Sequence, residues 1–229
     1  MHETMNLISK YRIYKTSIYK SMSNFFSNGK TANLISANLS AVQSDGNISD
    51  YDENIKILVS GPYGSGKTQF IKTLSEIAPL TTEENITLDA KKDEKVTTTV
   101  AMDYGKFQFN KQTAVHLFGT PGQKRFDFMR EILGIGARGL ILLVDARLHE
   151  DEQEQAREIL TYFESRNFSP IVVCANKQDL SDALDPMEIK KRLGVKDEIA
   201  VIPMMATRSE SALQAVKIIL SADAQKTMH

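Results

Sequence analysis

The chain has 229 residues, of which 41% are hydrophobic and 25% charged, a composition typical of a soluble globular protein with its own core. The formal net charge is -1, so no overall attraction to nucleic acid is expected. A single cysteine, Cys174, excludes an intrachain disulfide and is consistent with a cytoplasmic location. No apolar run is long enough to cross a bilayer.

Residues 1–53 differ in composition from the rest of the chain. Ser21–Asp50 is rich in Ser and Asn and predicts a linker or a loosely ordered arm. Met5–Phe26 mixes aromatic and basic residues, which is compatible with a basic amphipathic helix that touches a membrane surface weakly or a partner. A mobile arm, or a helix packed on its own domain, is the simpler interpretation of the same composition. We therefore predict an N-terminal arm over 1–53 and a folded domain over 54–229.

From Ile55 onward, predicted strands alternate with predicted helices. Apolar runs predict buried strands, and helical spacing or Pro and Gly boundaries predict the helices. In chain order, these are a strand at Ile55–Val59, a helix at Gly66–Ile77, an aperiodic stretch at Leu80–Lys95, a hairpin of Val96–Phe109 and Thr113–Phe118 turning at Asn110–Lys111, a strand at Gly139–Val144, a helix at Asp151–Glu164, a strand at Pro170–Ala175, a helix at Pro186–Leu193, a strand at Ala200–Met204 and a helix at Ser209–Leu220. The pattern predicts an α/β fold with a mainly parallel six-stranded sheet, helices on both faces and one antiparallel edge hairpin.

A glycine-rich loop follows the first predicted strand. Gly61 and Gly66 bracket four residues and precede Lys67 and Thr68, which matches the pattern G-x-x-x-x-G-K-[ST]. Such glycines let successive N–H groups point into one concavity at a helix N-terminus, where phosphate binds well. Lys67 is expected to reach the outer phosphates, and the Thr68 hydroxyl to bind Mg²⁺. The predicted nucleotide contacts of this phosphate loop are Gly61, Tyr63, Gly64, Ser65, Gly66, Lys67 and Thr68.

A second polar motif, Asn176-Lys177-Gln178-Asp179, follows the predicted strand that ends at Ala175. Ligands of open α/β sheets bind at the carboxyl ends of the strands. The Asp179 carboxylate can accept two parallel hydrogen bonds from the ring N–H and exocyclic amine of guanine, a donor pair that adenine lacks. The Lys177 stem can cover the base, and Asn176 can tie this base loop to the phosphate loop.

With these motifs in this order, the chain resembles the small Ras-like P-loop GTPases over about Ile55–Leu220. The resemblance implies bound GTP or GDP with Mg²⁺, and a switch threonine that binds the metal. Among Thr97, Thr98 and Thr99, we choose Thr99 for this role and Thr98 as the second choice, while Thr97 fits better as a simple strand former. The predicted metal ligands are therefore Thr68 and Thr99.

The segment Phe118–Gln123 stands where the family has Asp-x-x-Gly-Gln. The resemblance implies that the Gly122 N–H meets the terminal phosphate and that Gln123 orients the attacking water, so Lys67, Gly122 and Gln123 are the predicted catalytic residues. Gly119 occupies the position of the family's aspartate, and the sequence does not show which carboxylate replaces it. Arg125 is a possible cis electrophile, although a solvated loop residue is the simpler interpretation.

Two further positions depart from the family. Ala206 stands where the family offers a backbone N–H to the guanine oxygen, but the flanking residues do not match. Tyr63 replaces a glycine of Ras in the phosphate loop, and its ring would crowd an arginine inserted by an activating protein.

Two longer runs, Thr98–Gly105 and Leu117–Gln123, are similar to a prokaryotic group of Ras-like GTPases that commonly carries the same glycine for aspartate. The resemblance implies partners of the roadblock/longin type. We expect a GTP-binding molecular switch with slow Mg²⁺-dependent hydrolysis that acts in signalling or assembly. A subunit that holds nucleotide permanently, without useful turnover, is the alternative. A metabolic kinase is disfavoured, since the sequence shows neither a lid with arginines nor an acceptor site.

Overall fold

The computed structural model describes residues 53–78, 80–90, 94–122 and 128–227. These form alternating strands and helices. In chain order the elements are β1 (Glu53–Ser60), α1 (Lys67–Leu74), β2 (Leu80–Ala90), β3 (Glu94–Gln108), β4 (Thr113–Gly119), α2 (Phe128–Gly134), β5 (Gly139–Asp145), α3 (Glu150–Glu164), β6 (Ile171–Asn176), α4 (Pro186–Leu193), β7 (Ala200–Pro203) and α5 (Ser209–Thr227).

The strands form one mainly parallel sheet in the order β2-β3-β4-β1-β5-β6-β7. β1 is central and pairs in parallel with β4 and β5, and the parallel ladder continues through β6 to β7. β3 and β4 form the antiparallel hairpin, joined at residues 109–112. The predicted α/β fold, with its parallel sheet and antiparallel hairpin, is confirmed, and β2 adds a seventh strand.

Alternate residues of the central strands face opposite sides, and helices cover both. On one face, α1 and α5 pack against β1, β4 and β5; their buried residues include Phe70, Ile71, Ala215 and Ile219. On the other face, α3 packs against β5 and buries Ala156, Ile159, Leu160 and Phe163. Strands β4, β5 and β6 are buried at every position, because both of their faces are covered.

Several predicted elements differ from the structure. The aperiodic stretch Leu80–Lys95, for which no element was predicted, is occupied mostly by β2 and the start of β3. Helix α1 ends at Leu74 rather than at Ile77, because Ser75 adopts an extended conformation at the C-cap. The short helix α2 was not predicted, and α5 extends seven residues beyond Leu220. Helix α4 begins and ends as predicted, with Asp185 capping its N-terminus and Gly194 at its C-cap.

The chain divides into two compact units. One comprises Asp52–Thr82 and Ala101–His229, and the other comprises Met1–Tyr51 and Glu83–Val100. The predicted arm over 1–53 lies almost entirely outside the described residues and stays a prediction. In the described part of the chain, no helix has the length and apolarity needed to span a bilayer.

Candidate nucleotide-binding site

The phosphate loop joins β1 to α1 at the carboxyl edge of the sheet. Gly66 caps α1 in the left-handed region with φ of 100°, and a Cβ there would lie 2.2 Å from Asn176 Nδ2. Gly61 has φ of 150°, and its Cβ would lie 2.1 Å from the Leu143 carbonyl oxygen. Both positions therefore require glycine, for backbone conformation and for space.

Lys67 is the first residue of α1 and is 8% exposed. Its ammonium donates to the carbonyl oxygens of Gly61 at 2.8 Å and Pro62 at 2.6 Å. Burial lowers the pKa of Lys67 to about 8, while the charge of Asp103 raises it and that of Arg130 lowers it further. The loop thus holds a desolvated cation at its centre, which suits the outer phosphates of a nucleotide.

An acidic residue meets the predicted metal ligand Thr68. The Thr68 hydroxyl donates to Asp103 Oδ2 at 2.5 Å. Asp103 lies on β3 directly opposite Gly119 of β4, and a Cβ at Gly119 would be 3.1 Å from Asp103 Cβ. Asp103 thus places a carboxylate beside the Thr68 hydroxyl, from the strand next to the one that carries Gly119.

The segment after Gly119 begins in contact with the end of β1. Thr120 N–H donates to the Val59 carbonyl at 2.9 Å, and its hydroxyl lies 2.8 Å from the Ser60 hydroxyl. Gly122 then lies over the phosphate loop, since its Cβ would be 2.8 Å from Tyr63 Cα and 2.9 Å from Lys67 Nζ. Gly122 is thus close enough to the loop for its backbone to meet a terminal phosphate.

The predicted base loop is fastened to the phosphate loop by Asn176. Its side chain is buried, donates to the Ser65 carbonyl at 2.9 Å and accepts from the Ala206 N–H at 2.8 Å. The Ala206 N–H, predicted to meet the guanine oxygen, is therefore engaged within the protein. The N–H of the next residue, Thr207, has no hydrogen bond to another described residue.

The Lys177 side chain is held in place by the carboxylate of Asp145. Its ammonium donates to Asp145 Oδ2 at 2.5 Å, and Arg147 donates to the same carboxylate through Nε at 3.0 Å and Nη2 at 2.7 Å. Burial raises the pKa of Asp145, but the hydrogen bonds from Arg147 and Lys177 outweigh it and hold the pKa well below its usual range. The Lys177 side chain is thereby fixed in place, and Asp179, two residues further on, is exposed.

Four candidate residues are not placed by this geometry. Thr99 and its alternative, Thr98, lie in β3 and are described only by their backbones, while Gln123 and Arg125 lie outside the described residues. The other predicted residues converge on the carboxyl edge around α1, β6 and β7.

Four residues of the site were not predicted, namely Asp103, Asp145, Gln155 and Arg130. Asp103 was recognisable only from the β3–β4 register, whereas Asp145 ends an apolar strand, where acidic residues often serve ligands. Gln155 donates to the Gly122 carbonyl at 2.6 Å. Arg130, on α2, is 4% exposed, and no sequence signal distinguishes it from a surface arginine.

The sequence of residues 59–226 matches the family described as "Conserved hypothetical ATP binding protein" (ATP_bind_1). The chain belongs to this family. The match begins at the end of β1, covers the glycine-rich loop and reaches into α5.

The chain is also similar in sequence to three individual proteins. An uncharacterized protein of Methanocaldococcus jannaschii is 33% identical over 60% of this chain and 78% of its own length. ADP-ribosylation factor-like protein 3 of Saccharomyces cerevisiae is 25% identical over 72% of this chain and 83% of its own length. Mutual gliding-motility protein MglA of Myxococcus xanthus is 24% identical over 76% of this chain and 95% of its own length. The family match and the glycine-rich loop between β1 and α1 identify a nucleotide-binding protein of the P-loop type.

Proposed function

We propose that the protein is a GTP-binding molecular switch that hydrolyses GTP slowly with Mg²⁺. The observation that carries this is the buried Asn176, whose side chain joins the phosphate loop to the base loop. The two loops are thereby held at a fixed separation, so one nucleotide can engage both its phosphates and its base.

The description of the family names ATP, but the chemistry of the base loop favours guanine. The Asp179 carboxylate is exposed and makes no hydrogen bond to another described residue. It can therefore accept both donors of the guanine edge, while adenine would present no matching pair. The Thr207 N–H, rather than that of Ala206, is the available donor for the guanine oxygen in this geometry.

The metal would be held by Thr68 and Asp103, with Thr99 as the further ligand that the resemblance implies. A hydroxyl and a carboxylate fit Mg²⁺, which takes few protein ligands and completes its shell with phosphate and water. Bound there, Mg²⁺ would neutralise charge on the outer phosphates. Lys67 and the loop N–H groups would share that task, and Gln123 would orient the attacking water.

Tyr63 is 73% exposed beside Gly122, at the entrance to the phosphate loop. Its ring would obstruct an arginine inserted by an activating protein. Acceleration by a partner would then act through Gly122 and Gln123 instead.

A partner of the roadblock/longin type is part of the proposal, on the resemblance of the motifs at Thr98–Gly105 and Leu117–Gln123. A cytoplasmic site of action belongs to it too, supported by the single buried thiol, Cys174.

The test is to identify the nucleotide that purified protein releases on heating, and to compare affinities for GDP and ADP with Mg²⁺. We expect guanosine phosphate, and at least a 100-fold preference for GDP, because the base loop leaves a mismatched edge unpaired. Asp179→Asn should reduce that preference, with the adjacent exposed Asp182→Asn as a matched control. Release of adenosine phosphate, or equal affinities, would show that the guanine assignment is wrong.

The alternative function, a permanently loaded assembly subunit, is favoured by the glycine at position 119 and the tyrosine at position 63. Single-turnover hydrolysis of preloaded GTP separates it from a switch. A switch should convert its GTP in the presence of Mg²⁺ and should slow after Gln123→Leu, since that change removes the amide that orients water. GTP that stays intact through many hours would support the assembly subunit.

A further inference from the structure

A side-chain hydrogen bond links Gly122 to helix α3. The side-chain amide of Gln155, on α3, donates from Nε2 to the Gly122 carbonyl oxygen at 2.6 Å. Gln155 is half-buried, and the two residues are 33 positions apart in the chain. The bond therefore connects the segment after β4 to the face of the sheet that α3 covers.

Gly122 is held from two sides. Its Cα faces the phosphate loop, where an added Cβ would lie 2.8 Å from Tyr63 Cα and 2.9 Å from Tyr63 N and Lys67 Nζ. Its carbonyl points the other way, to Gln155. The position of the Gly122 backbone between the lysine and α3 is thus set by one side-chain hydrogen bond and one close backbone packing.

Helix α3 is a rigid support for this contact. Ala156, next to Gln155, is fully buried, and Ile159, Leu160 and Phe163 continue the buried face. Since a side chain on a packed helix places its amide more reproducibly than one on a loop, the Gly122 carbonyl has a fixed anchor.

We propose that Gln155 is a positioning residue that holds Gly122 against the phosphate loop and so makes this segment responsive to the terminal phosphate of the nucleotide. The inference rests on the proposed function. Helix α3 would thereby respond to the position of this segment. With a terminal phosphate beside Lys67, the Gly122 N–H binds that phosphate while the Gly122 carbonyl keeps its hydrogen bond to Gln155. A nucleoside diphosphate offers no such partner, so its binding does not depend on Gln155.

The variants separate hydrogen bonding from packing. Gln155→Glu is nearly isosteric but places a carboxylate against the Gly122 carbonyl, and Gln155→Met keeps the length without a donor. The neighbouring Glu154 is exposed on the same helix, so Glu154→Gln is the matched control. In each protein, dissociation constants are measured for GDP and for a non-hydrolysable GTP analogue, together with single-turnover GTP hydrolysis and Tm.

Loss of one hydrogen bond to a half-buried carbonyl predicts about 10-fold weaker binding of the GTP analogue in Gln155→Met, and a larger loss in Gln155→Glu. Binding of GDP should change less than about twofold, since no step of its binding uses Gly122. Hydrolysis should slow in parallel with the loss of analogue affinity. A purely structural role would weaken both nucleotides equally and lower Tm, which would overturn the proposal, as would unchanged binding and hydrolysis in all variants.

Failure of the proposed function is distinguishable from failure of this inference. If wild-type protein prefers adenine nucleotides, the guanine assignment fails, but the same comparison with ADP and a non-hydrolysable ATP analogue still tests Gln155. Gly122 faces the phosphate loop rather than the base loop, so the dependence on the terminal phosphate is expected for either base. Equal effects on the two adenine nucleotides would overturn the role of Gln155.

Discussion

At the scale of single residues, the most consequential pair is the aspartate at position 103 and the glycine at position 119. Asp103 and Gly119 face each other across the β3–β4 ladder, and Asp103 accepts a hydrogen bond from the Thr68 hydroxyl. An aspartate at position 119 would crowd Asp103, because the two Cβ atoms would be 3.1 Å apart. Glycine at one position therefore accompanies aspartate at the other.

This geometry predicts the effect of moving the carboxylate. Asp103→Ala should weaken Mg²⁺-dependent nucleotide binding by roughly 10- to 100-fold, the usual effect of losing a group that orients a metal ligand. Binding without Mg²⁺ should change little. The double variant Asp103→Gly with Gly119→Asp should recover much of the loss, since the new side chain has only the flexible Ile71 Cδ1, 2.9 Å from its Cβ, to displace.

Nucleotide dissociation rates measured with Mg²⁺ and with a chelator check this prediction. Gly119→Asp alone is the matched control, because it adds a second carboxylate beside Asp103. Equal dissociation rates for wild type and Asp103→Ala at saturating Mg²⁺ would show that Asp103 serves the Thr68 hydroxyl alone and not the metal.

At the scale of elements, Asn176 at the end of β6 connects three segments that are distant in sequence. It bonds the Ser65 carbonyl before α1 and the Ala206 N–H after β7. Gly66 packs directly on its amide, since a Cβ there would be 2.2 Å away. The relative placement of the phosphate loop and the segment after β7 therefore depends on this side chain.

Asn176→Ala should lower the free energy of unfolding by about 2 kcal/mol or more, because it leaves two buried backbone groups without a partner. Nucleotide dissociation should accelerate as well. Asn176→Asp keeps the acceptor for the Ala206 N–H but places a buried carboxylate oxygen against the Ser65 carbonyl, so at neutral pH it should be no more stable than Asn176→Ala. Urea unfolding of the three proteins measures this, and a loss of affinity without loss of stability would assign Asn176 to ligand contact alone.

The sequence predicts the elements whose local signals agree with their packing. Helix α4 has a capping Asp185, a proline at its start and Gly194 at its end, and it was placed without error. Strand β2 was missed because its sequence, Leu80–Ala90, is polar and has no clear alternation, so its pairing in the sheet leaves no local signal. Helix α2, with seven residues, is too short for a periodic pattern.

The site divides in the same way. The phosphate loop and the base loop are contiguous motifs, so their residues could be predicted from spacing. Asp103 and Gln155 act through contacts 35 and 33 positions along the chain, which depend on strand register and helix packing. The predicted role of the Ala206 N–H assumed the family's geometry, whereas the neighbouring amide, that of Thr207, is the one left unoccupied.

At the scale of the whole molecule, stability should depend on a polar cluster remote from the phosphate loop. His116 on β4 is buried, with Nδ1 2.8 Å from the Tyr104 hydroxyl and Nε2 3.0 Å from Asn54 Oδ1. Because the Asn54 oxygen can only accept, Nε2 carries the proton and Nδ1 accepts from Tyr104. The neutral ring thus satisfies both neighbours, and a second proton, on Nδ1, would require the Tyr104 hydroxyl to turn and accept instead of donate.

Burial, with a smaller contribution from Lys106, lowers the pKa of His116 to about 4. The unfolded chain, with an ordinary histidine pKa of about 6.5, takes up a proton between these values while the folded chain does not. Stability is therefore lost as pH falls from about 6.5 to 4, by an amount on the order of 3 kcal/mol for this group. His116→Gln should lose the corresponding part of the decline.

Tm measured at intervals between pH 7.5 and 4.5 checks this. The carboxylates also destabilise the fold on acidification, so the informative quantity is the difference in slope between wild type and His116→Gln. The two curves should run parallel above pH 7 and converge below about pH 6, because only wild type carries the buried imidazole. Parallel curves over the whole range would mean that His116 accepts its proton in the folded state, with Tyr104 turning to release Nδ1.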